Sequence, residues 1–459
     1  MTLNEYINSI KDKRICVIGI GVSNKPLLEK LLKAGCDVTA CDKRSAEQLG
    51  EDYSELLSIG AKFSLGDTYL ENLNYDIIFR TPGLMPFDEH LTKAAANGAV
   101  VTSEMEVFFK LCPCRIIAVT GSDGKTTTTT IISELLKAQG CTVHLGGNIG
   151  HPLLCEVDSM KPNDFAVLEL SSFQLHSMVC KPSVAVITNI SPNHLDKHKD
   201  YQDYINAKSS IFTRQDSSDR LVLNSENEYS PYYAGMAKSQ ISYFSRAKLP
   251  ENDGVYCEDG IVYRVHDGVR EQLMHADDIK LPGTHNLENY MAAFAATDGL
   301  VSDETCIKVA KEFSGVEHRL EQVRIKDGVT YINDSIGTSP SRTAAGLHAL
   351  KIKPILIAGG YDKHIPFDAL GDEICLHTKA LFLTGATFEK IEQAVKASKY
   401  YTEDFKMVTI DDFKQAVLAA ADYAQEGDIV LLSPACAAFD KFKNFMERGK
   451  YFKQIIMEL

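Results

Sequence analysis

The chain of 459 residues exceeds the ~100–200 residues of an ordinary domain, so two to four domains are expected. Its 44% hydrophobic and 24% charged content excludes a mainly disordered or fibrous protein. The net charge of −14, with no long basic run, argues against a nucleic-acid partner, and no apolar stretch approaches the ~18–20 residues of a membrane span.

The opening segment MTLNEYINSIKDKR has no apolar leader core, so a cytoplasmic chain is expected. Twelve scattered cysteines without a CxxC are most simply reduced and buried, and a zinc cluster is not expected. Residues 14–21 (RICVIGIG) read as a strand running into a glycine turn. Leu27, Leu28, Leu31 and Leu32 then make one apolar helical stripe that stops at Gly35. A second strand, 37–41, ends at Asp42. The sequence Gly19-Ile-Gly21-Val-Ser23-Asn24 followed by Asp42 imitates a dinucleotide fingerprint, with Asn24 in place of the third glycine. The turn is equally compatible with a diphosphate at the helix N-terminus, with Asp42 on a ribose or base, and with a purely structural bend. Residues 76–82 predict a strand entering a loop at 81–83, and a domain boundary is expected near 103–113.

The strongest signal lies at 115–127, RIIAVTGSDGKTT. A strand, the loop Gly121-Ser122-Asp123-Gly124-Lys125-Thr126-Thr127 and a Thr-rich helix form a phosphate-binding turn. Backbone N–H groups curl around the anion, Lys125 reaches the β/γ-phosphates and Thr126 ligates Mg²⁺. Val119 stands where the first glycine of the common motif would be. Glu169 ends the apolar strand 165–170, where a metal-holding or water-holding carboxylate is usual. The strand VAVI leads into TNISPNHLDKH, which puts His194, Asp196 and His198 near the same edge. A zinc reading of His194 and His198 lacks the Glu of HExxH. Lys208, on a predicted helix, has no special status from spacing alone. A helix is expected at 286–299, and a last unit near 315 with further βα units at 354–360 and 381–395. The recurrence predicts three α/β domains on doubly wound sheets: an N-terminal Rossmann-like domain (1–105), a central P-loop ATPase-like domain on a parallel or mixed sheet (106–314), and a C-terminal Rossmann-like domain (315–459).

GSDGKTT, LELSSFQL, NISPNHLDKH, GTHNLENYMAA, GVEHRLE and INDSIGTSPSRTAAGL occur in this order. Together they resemble the Mur ligases, ATP-dependent amino-acid-adding enzymes of peptidoglycan synthesis. The C-terminal SPACAAFDKFKNFMERG is similar to the D-glutamate-adding branch. The resemblance implies ATP, two Mg²⁺ ions, an acyl-phosphate intermediate, and small-molecule substrates: a UDP-muramyl-alanine and D-glutamate. A monomer without nucleic-acid or membrane partners goes with it.

By resemblance the catalytic residues are Lys125, Glu169, His194 and Lys208, the last as a CO₂-derived carbamate. The metal ligands are Thr126, Glu169, His194 and carbamylated Lys208. Residues 121–127 with Asn289, Arg319 and Asp334 match the nucleotide contacts. Ser23, Asp42, Lys43, Arg44, Thr81, Gly83, Asn148, Ser171, Gln174 and His194 match the UDP-substrate side, and Thr338, Lys363 and Phe445 the D-glutamate pocket. Ile336 and Ala438 replace a Lys and a Ser of some relatives, so Lys363 is expected to carry more of the charge recognition. The alternatives are another Mur-type or folylpolyglutamate-type ligase, a P-loop ATPase with a nicotinamide-binding module, and a non-catalytic nucleotide sensor.

Overall fold

A computed structural model describes residues 1–192, 198–247, 253–281, 283–362 and 365–459. Its contacts divide the chain into two units, Met1–Phe313 and Ser314–Leu459. The first unit holds two sheets and the second holds one.

The first sheet comprises β1 (Arg14–Ile18), β2 (Asp37–Asp42), β3 (Lys62–Leu65), β4 (Ile77–Phe79) and β5 (Val100–Thr102). All are parallel, in the order β3-β2-β1-β4-β5. β1 and β4 are central and buried on both faces, which is why their sequences are continuous apolar runs rather than alternating ones. The helix Lys25–Lys33 starts on Asn24 and Lys25-Pro26 and buries the four leucines of its predicted stripe. The strand expected over 76–82 is shorter. It ends at Phe79, with one further ladder bond from the Arg80 N–H to Thr102 O, and Pro82 has no N–H to extend it.

The second sheet comprises β6 (Arg115–Thr120), β7 (Val143–Gly147), β8 (Phe165–Glu169), β9 (Val184–Ile187), β10 (Arg220–Asn224), β11 (Gln240–Ser245), β12 (Gly254–Glu258), β13 (Ile261–His266) and β14 (Val269–His275). Its order is β14-β13-β12-β11-β10-β9-β6-β8-β7. Parallel pairing runs from β7 to β12, and β12–β14 form an antiparallel meander at the edge. The central helix Thr284–Ala296 buries Tyr290 through Ala296 against the sheet. One hydrophobic cluster runs from Ile15 and Val17 of the first sheet through Leu153, Leu154 and Val157 to Ala118 and Leu168 of the second. That shared core makes the two sheets one unit.

In the second unit β15 (Glu321–Lys326) pairs antiparallel with β16 (Val329–Asn333). β17 (Ile355–Ala358), β18 (Ala380–Leu383), β19 (Lys406–Thr409) and β20 (Ile429–Leu432) complete a sheet ordered β15-β16-β20-β17-β18-β19. No helix among the described residues is long and apolar enough to cross a membrane.

Candidate active site

Ligands of open α/β sheets bind beyond the carboxyl ends of the strands, where the strand order reverses. In the second sheet β6 lies between β8 and β9, so the loops after these three strands share one edge. They are the glycine loop 121–124, the segment after Glu169, and the segment 188–192. Gly121 has φ +146°, and a Cβ there would lie 1.9 Å from Thr188 Oγ1. Gly124, at φ +76°, caps the helix Lys125–Ala138 in the left-handed region. Only glycine lets the backbone turn this tightly against its neighbours. Asn189 braces the loop: its carbonyl accepts from Ser122 N–H at 2.9 Å and its Oδ1 from Asp123 N–H at 2.9 Å. Thr188 Oγ1 donates to the Asp123 carbonyl at 2.6 Å.

On this platform the sequence-predicted residues meet. Thr126 Oγ1 donates to Glu169 Oε2 at 2.7 Å, and Asn148 Nδ2 donates to Glu169 Oε1 at 2.8 Å. Thr126 and Glu169 together present oxygen donors, the set a hard cation such as Mg²⁺ prefers, and the residues therefore fit that ion. Lys125 Nζ donates to the carbonyls of Gly121 and Ser122 at 3.0 and 2.7 Å. Thr128 donates to Asn289 Oδ1 at 3.2 Å, which brings the Asn289 helix beside the loop.

Lys208 is 2% exposed. Its Nζ donates to Gly121 O at 2.7 Å and lies 4.6 Å from the centre of the Tyr204 ring. Burial, and next the charge of Lys125, push its amine well below the ordinary lysine value. Sequence spacing is blind to this. Tyr204, whose hydroxyl shares a 2.8 Å hydrogen bond with Ser122 Oγ, was also missed. Nearby, Asp203 accepts from both His176 and His198 at 2.9 Å, and His198 Nε2 meets Ser172 Oγ at 2.9 Å. His194 lies outside the described residues.

The first sheet reverses order between β1 and β4, and Ser23, Asp42, Lys43, Arg44, Thr81 and Gly83 of the predicted UDP-substrate set lie on the segments that follow its strands. A Cβ on Gly19 would lie 3.1 Å from Thr81 Cβ, so the two turns touch. Asp42 Oδ2 accepts from Ile20 N–H at 2.7 Å, and both its oxygens accept from the Arg44 guanidinium. Burial alone would raise the Asp42 carboxyl; Arg44 and the backbone N–H groups outweigh it and hold it below the ordinary value. Asp42 therefore fixes Arg44 and the turn, while Ser23, Lys43, Arg44 and Gly83 are exposed and Thr81 is half-buried. Asn148 is exposed, and Ser171 caps the short helix Ser172–Leu175 in a reciprocal pair with Gln174.

In the second unit, residues 318–320, 333–338, 433–437 and 445–449 converge. Leu320 N–H and Ser433 Oγ donate to Asp334 at 3.2 and 2.7 Å. His318 and Leu320 have φ +65° and +44°, an uncommon backbone for such residues, and Arg319 sits on the turn between them. Ser335 Oγ donates to the Phe445 carbonyl at 2.8 Å. The buried Arg448, which sequence reasoning missed, donates to Ser335 O, Cys436 O and Ala437 O at 3.0 Å each. Thr338 follows on the same loop, and Lys363 lies outside the described residues.

Burial raises the Asp334 carboxyl to about 6, against the pull of its hydrogen bonds. A raised carboxyl stabilises the fold fully below its ordinary value of 3.8, and this is lost as pH rises through about 6. Asp334→Asn should therefore remove about 1 kcal/mol of the stability change between about pH 5 and about pH 7.5. Denaturant titrations at both pH values measure it; identical slopes in variant and parent would contradict it.

Comparison with known proteins agrees with this architecture. The Mur ligase middle domain matches residues 119–297, and the "Mur ligase, glutamate ligase domain" matches 318–436. The chain is 48% identical to the UDP-N-acetylmuramoylalanine--D-glutamate ligase of Ruminiclostridium cellulolyticum, covering 100% of this chain and 99% of that one. It is equally 48% identical to the protein of that name from Acetivibrio thermocellus, over 99% and 98% of the two chains. In fold it is similar to the UDP-N-acetylmuramate-alanine ligase of Thermotoga maritima, with a TM-score of 0.55 at 18% identity over 97% of this chain and 99% of that one. With full-length relatives at this identity and both family domains in order, the chain belongs to the Mur ligase family.

Proposed function

We propose that the protein is an ATP-dependent amide ligase that joins D-glutamate to UDP-N-acetylmuramoyl-L-alanine, a step of peptidoglycan synthesis. The observation that carries the reading is the Thr126–Glu169 pair at the start of the Lys125–Ala138 helix, beside the buried amine of Lys208. The full-length relatives bearing that ligase name support the choice of substrates.

A free carboxylate is a poor acyl donor, because it is anionic and its leaving group would be oxide. In the proposed reaction its oxygen attacks the γ-phosphorus of ATP, the bond to ADP breaks, and an acyl phosphate forms. The D-glutamate nitrogen then attacks the acyl carbon, loses a proton, and the C–O bond to phosphate breaks. The protein must gather several anions in one place, so placed positive charge is its main contribution. The backbone N–H groups of the first turn of the Lys125–Ala138 helix hold phosphate oxygens, and Lys125 stabilises charge on the transferring group. Thr126 and Glu169, with His194 and a carbamate on Lys208, would hold Mg²⁺, which neutralises phosphate charge when bound. Asn289, Arg319 and Asp334 are the further nucleotide contacts in this reading. Ser23, Asp42, Lys43, Arg44, Thr81 and Gly83 serve the uridine diphosphate. Asn148, Ser171, Gln174 and His194 serve the muramyl-alanine. Thr338, Lys363 and Phe445 serve D-glutamate.

Phosphate release measured with each amino acid, with and without the muramyl nucleotide, tests the assignment. Turnover is expected only with D-glutamate and the nucleotide together. Release with another amino acid would favour another member of the family, and release without either substrate would favour a plain ATPase.

A further inference from the structure

Arg80 is the most deeply buried arginine of the first unit, at 1% exposure. It follows β4 directly, and its own N–H bonds Thr102 O at 2.8 Å, so its backbone belongs to the first sheet. Its side chain leaves that sheet. Nη1 donates to Leu84 O at 3.1 Å, in the turn that contains Thr81 and Gly83. Nη2 donates to Phe173 O at 3.1 Å, Gln174 O at 3.4 Å and Ser177 Oγ at 2.7 Å, all beyond β8 of the second sheet. Among the described residues no carboxylate hydrogen-bonds the guanidinium; the charge of Glu106 acts on it across a gap, and Ser177 Oγ lies 3.5 Å from Glu106 Oε1.

Burying a guanidinium is costly, and carbonyl oxygens offset that cost only if the fork is fully placed. Here it is not fully placed. Among the described residues Nε of Arg80 has no partner, nor has Oδ1 of the buried Asn24. Both residues line one cavity of about 20 Å³, together with Ser23, Pro82, Glu104 and Gln174. A structural core would fill or pair these atoms. The cavity instead lies among the segments that follow the strands of both sheets, and these include the turn after β1, the turn after β4 and the segment after β8. Arg80 contacts two of these loops and faces the third.

Resting on the function proposed above, the first two loops serve the uridine diphosphate and the third serves the muramyl-alanine. We propose that Arg80 is a positioning residue, which sets the separation between the nucleotide end and the acyl end of the substrate site. A rigid planar fork with several donors can hold that spacing. An ammonium on a flexible stem cannot, so lysine is not an equivalent. Because the spacing matters only to a ligand that spans both halves, the effect should scale with the length of the ligand. Uridine diphosphate alone engages one half and is indifferent to the span.

The test compares Arg80→Lys and Ser177→Ala with the parent enzyme. Calorimetry gives the affinity for uridine diphosphate and for the complete muramyl nucleotide, and steady-state kinetics gives each KM. Arg80→Lys is expected to weaken the complete nucleotide about tenfold, and its KM likewise, with the affinity for uridine diphosphate and the KM for ATP within about twofold. Ser177→Ala removes one bond to the fork from a half-buried position. It is expected to give about a threefold loss for the complete nucleotide alone, and it decides the matter if Arg80→Lys does not fold. Equal losses for the short and the complete ligand, or no loss for either, would overturn the proposal. A parent enzyme that shows no turnover with D-glutamate and the muramyl nucleotide would instead overturn the function on which it rests.

Discussion

Lys125→Ala is expected to lower turnover by about 10²–10⁴-fold, the usual loss when one stabiliser of developing charge is removed. The half-buried side chain makes its resolved hydrogen bonds to the carbonyls of its own loop, Gly121 O and Ser122 O. The loop itself is held by Asn189, Thr188 and Tyr204, not by Lys125 alone. The variant should therefore melt close to the parent temperature. Single-turnover measurement of acyl-phosphate formation locates the defect in the first chemical step. Near-normal turnover in a folded variant would remove Lys125 from the phosphoryl site.

Lys208→Ala is expected to be nearly inactive, with a loss of about 10³-fold or more. A carbamate forms when the neutral amine attacks CO₂, the new C–N bond leaving one proton to be released. Full burial and the neighbouring charge of Lys125 favour that neutral amine. Short carboxylates should restore part of the activity of the alanine variant, and only with Mg²⁺ present, since they replace a metal ligand. In the parent, removal of dissolved CO₂ should lower activity and bicarbonate should restore it. An unmodified amine at Lys208 in fully active enzyme, seen by mass spectrometry under non-acidic conditions, would contradict this account.

Much of the site was legible because its chemistry is local in sequence. The glycine loop, Lys125 and Thr126 lie within a few residues, and the strand before and helix after them follow from apolar runs and a glycine cap. Glu169 was legible for the same reason: an acid ending a buried strand. Lys208 was singled out only by the family resemblance, since by spacing alone a lysine on a helix reads as solvated until the helix is seen packed with that face beneath Gly121. The antiparallel meander β12–β14 was also hidden. Its short strands lie among βα units that argue for parallel pairing, and edge position is a property of the sheet.

Length, charge balance, the βα alternation, the glycine loop with the helix after it and the ordered motifs were determined by the sequence by itself, because each depends on neighbours along the chain. Tertiary structure decided the rest. Asp42 accepts hydrogen bonds from Arg44 and from Ile20 N–H in the Gly19–Gly21 turn. Asp334 is raised to about 6 because burial in the surrounding core outweighs the hydrogen bonds it accepts from Ser433 and Leu320. Arg80 and Arg448 carry no signal in the sequence, yet each is buried on carbonyls that include ones far away in the chain. Burial, and with it protonation and hydrogen-bond partnership, depends on which distant segments fold against a residue, and no spacing along the chain encodes that directly.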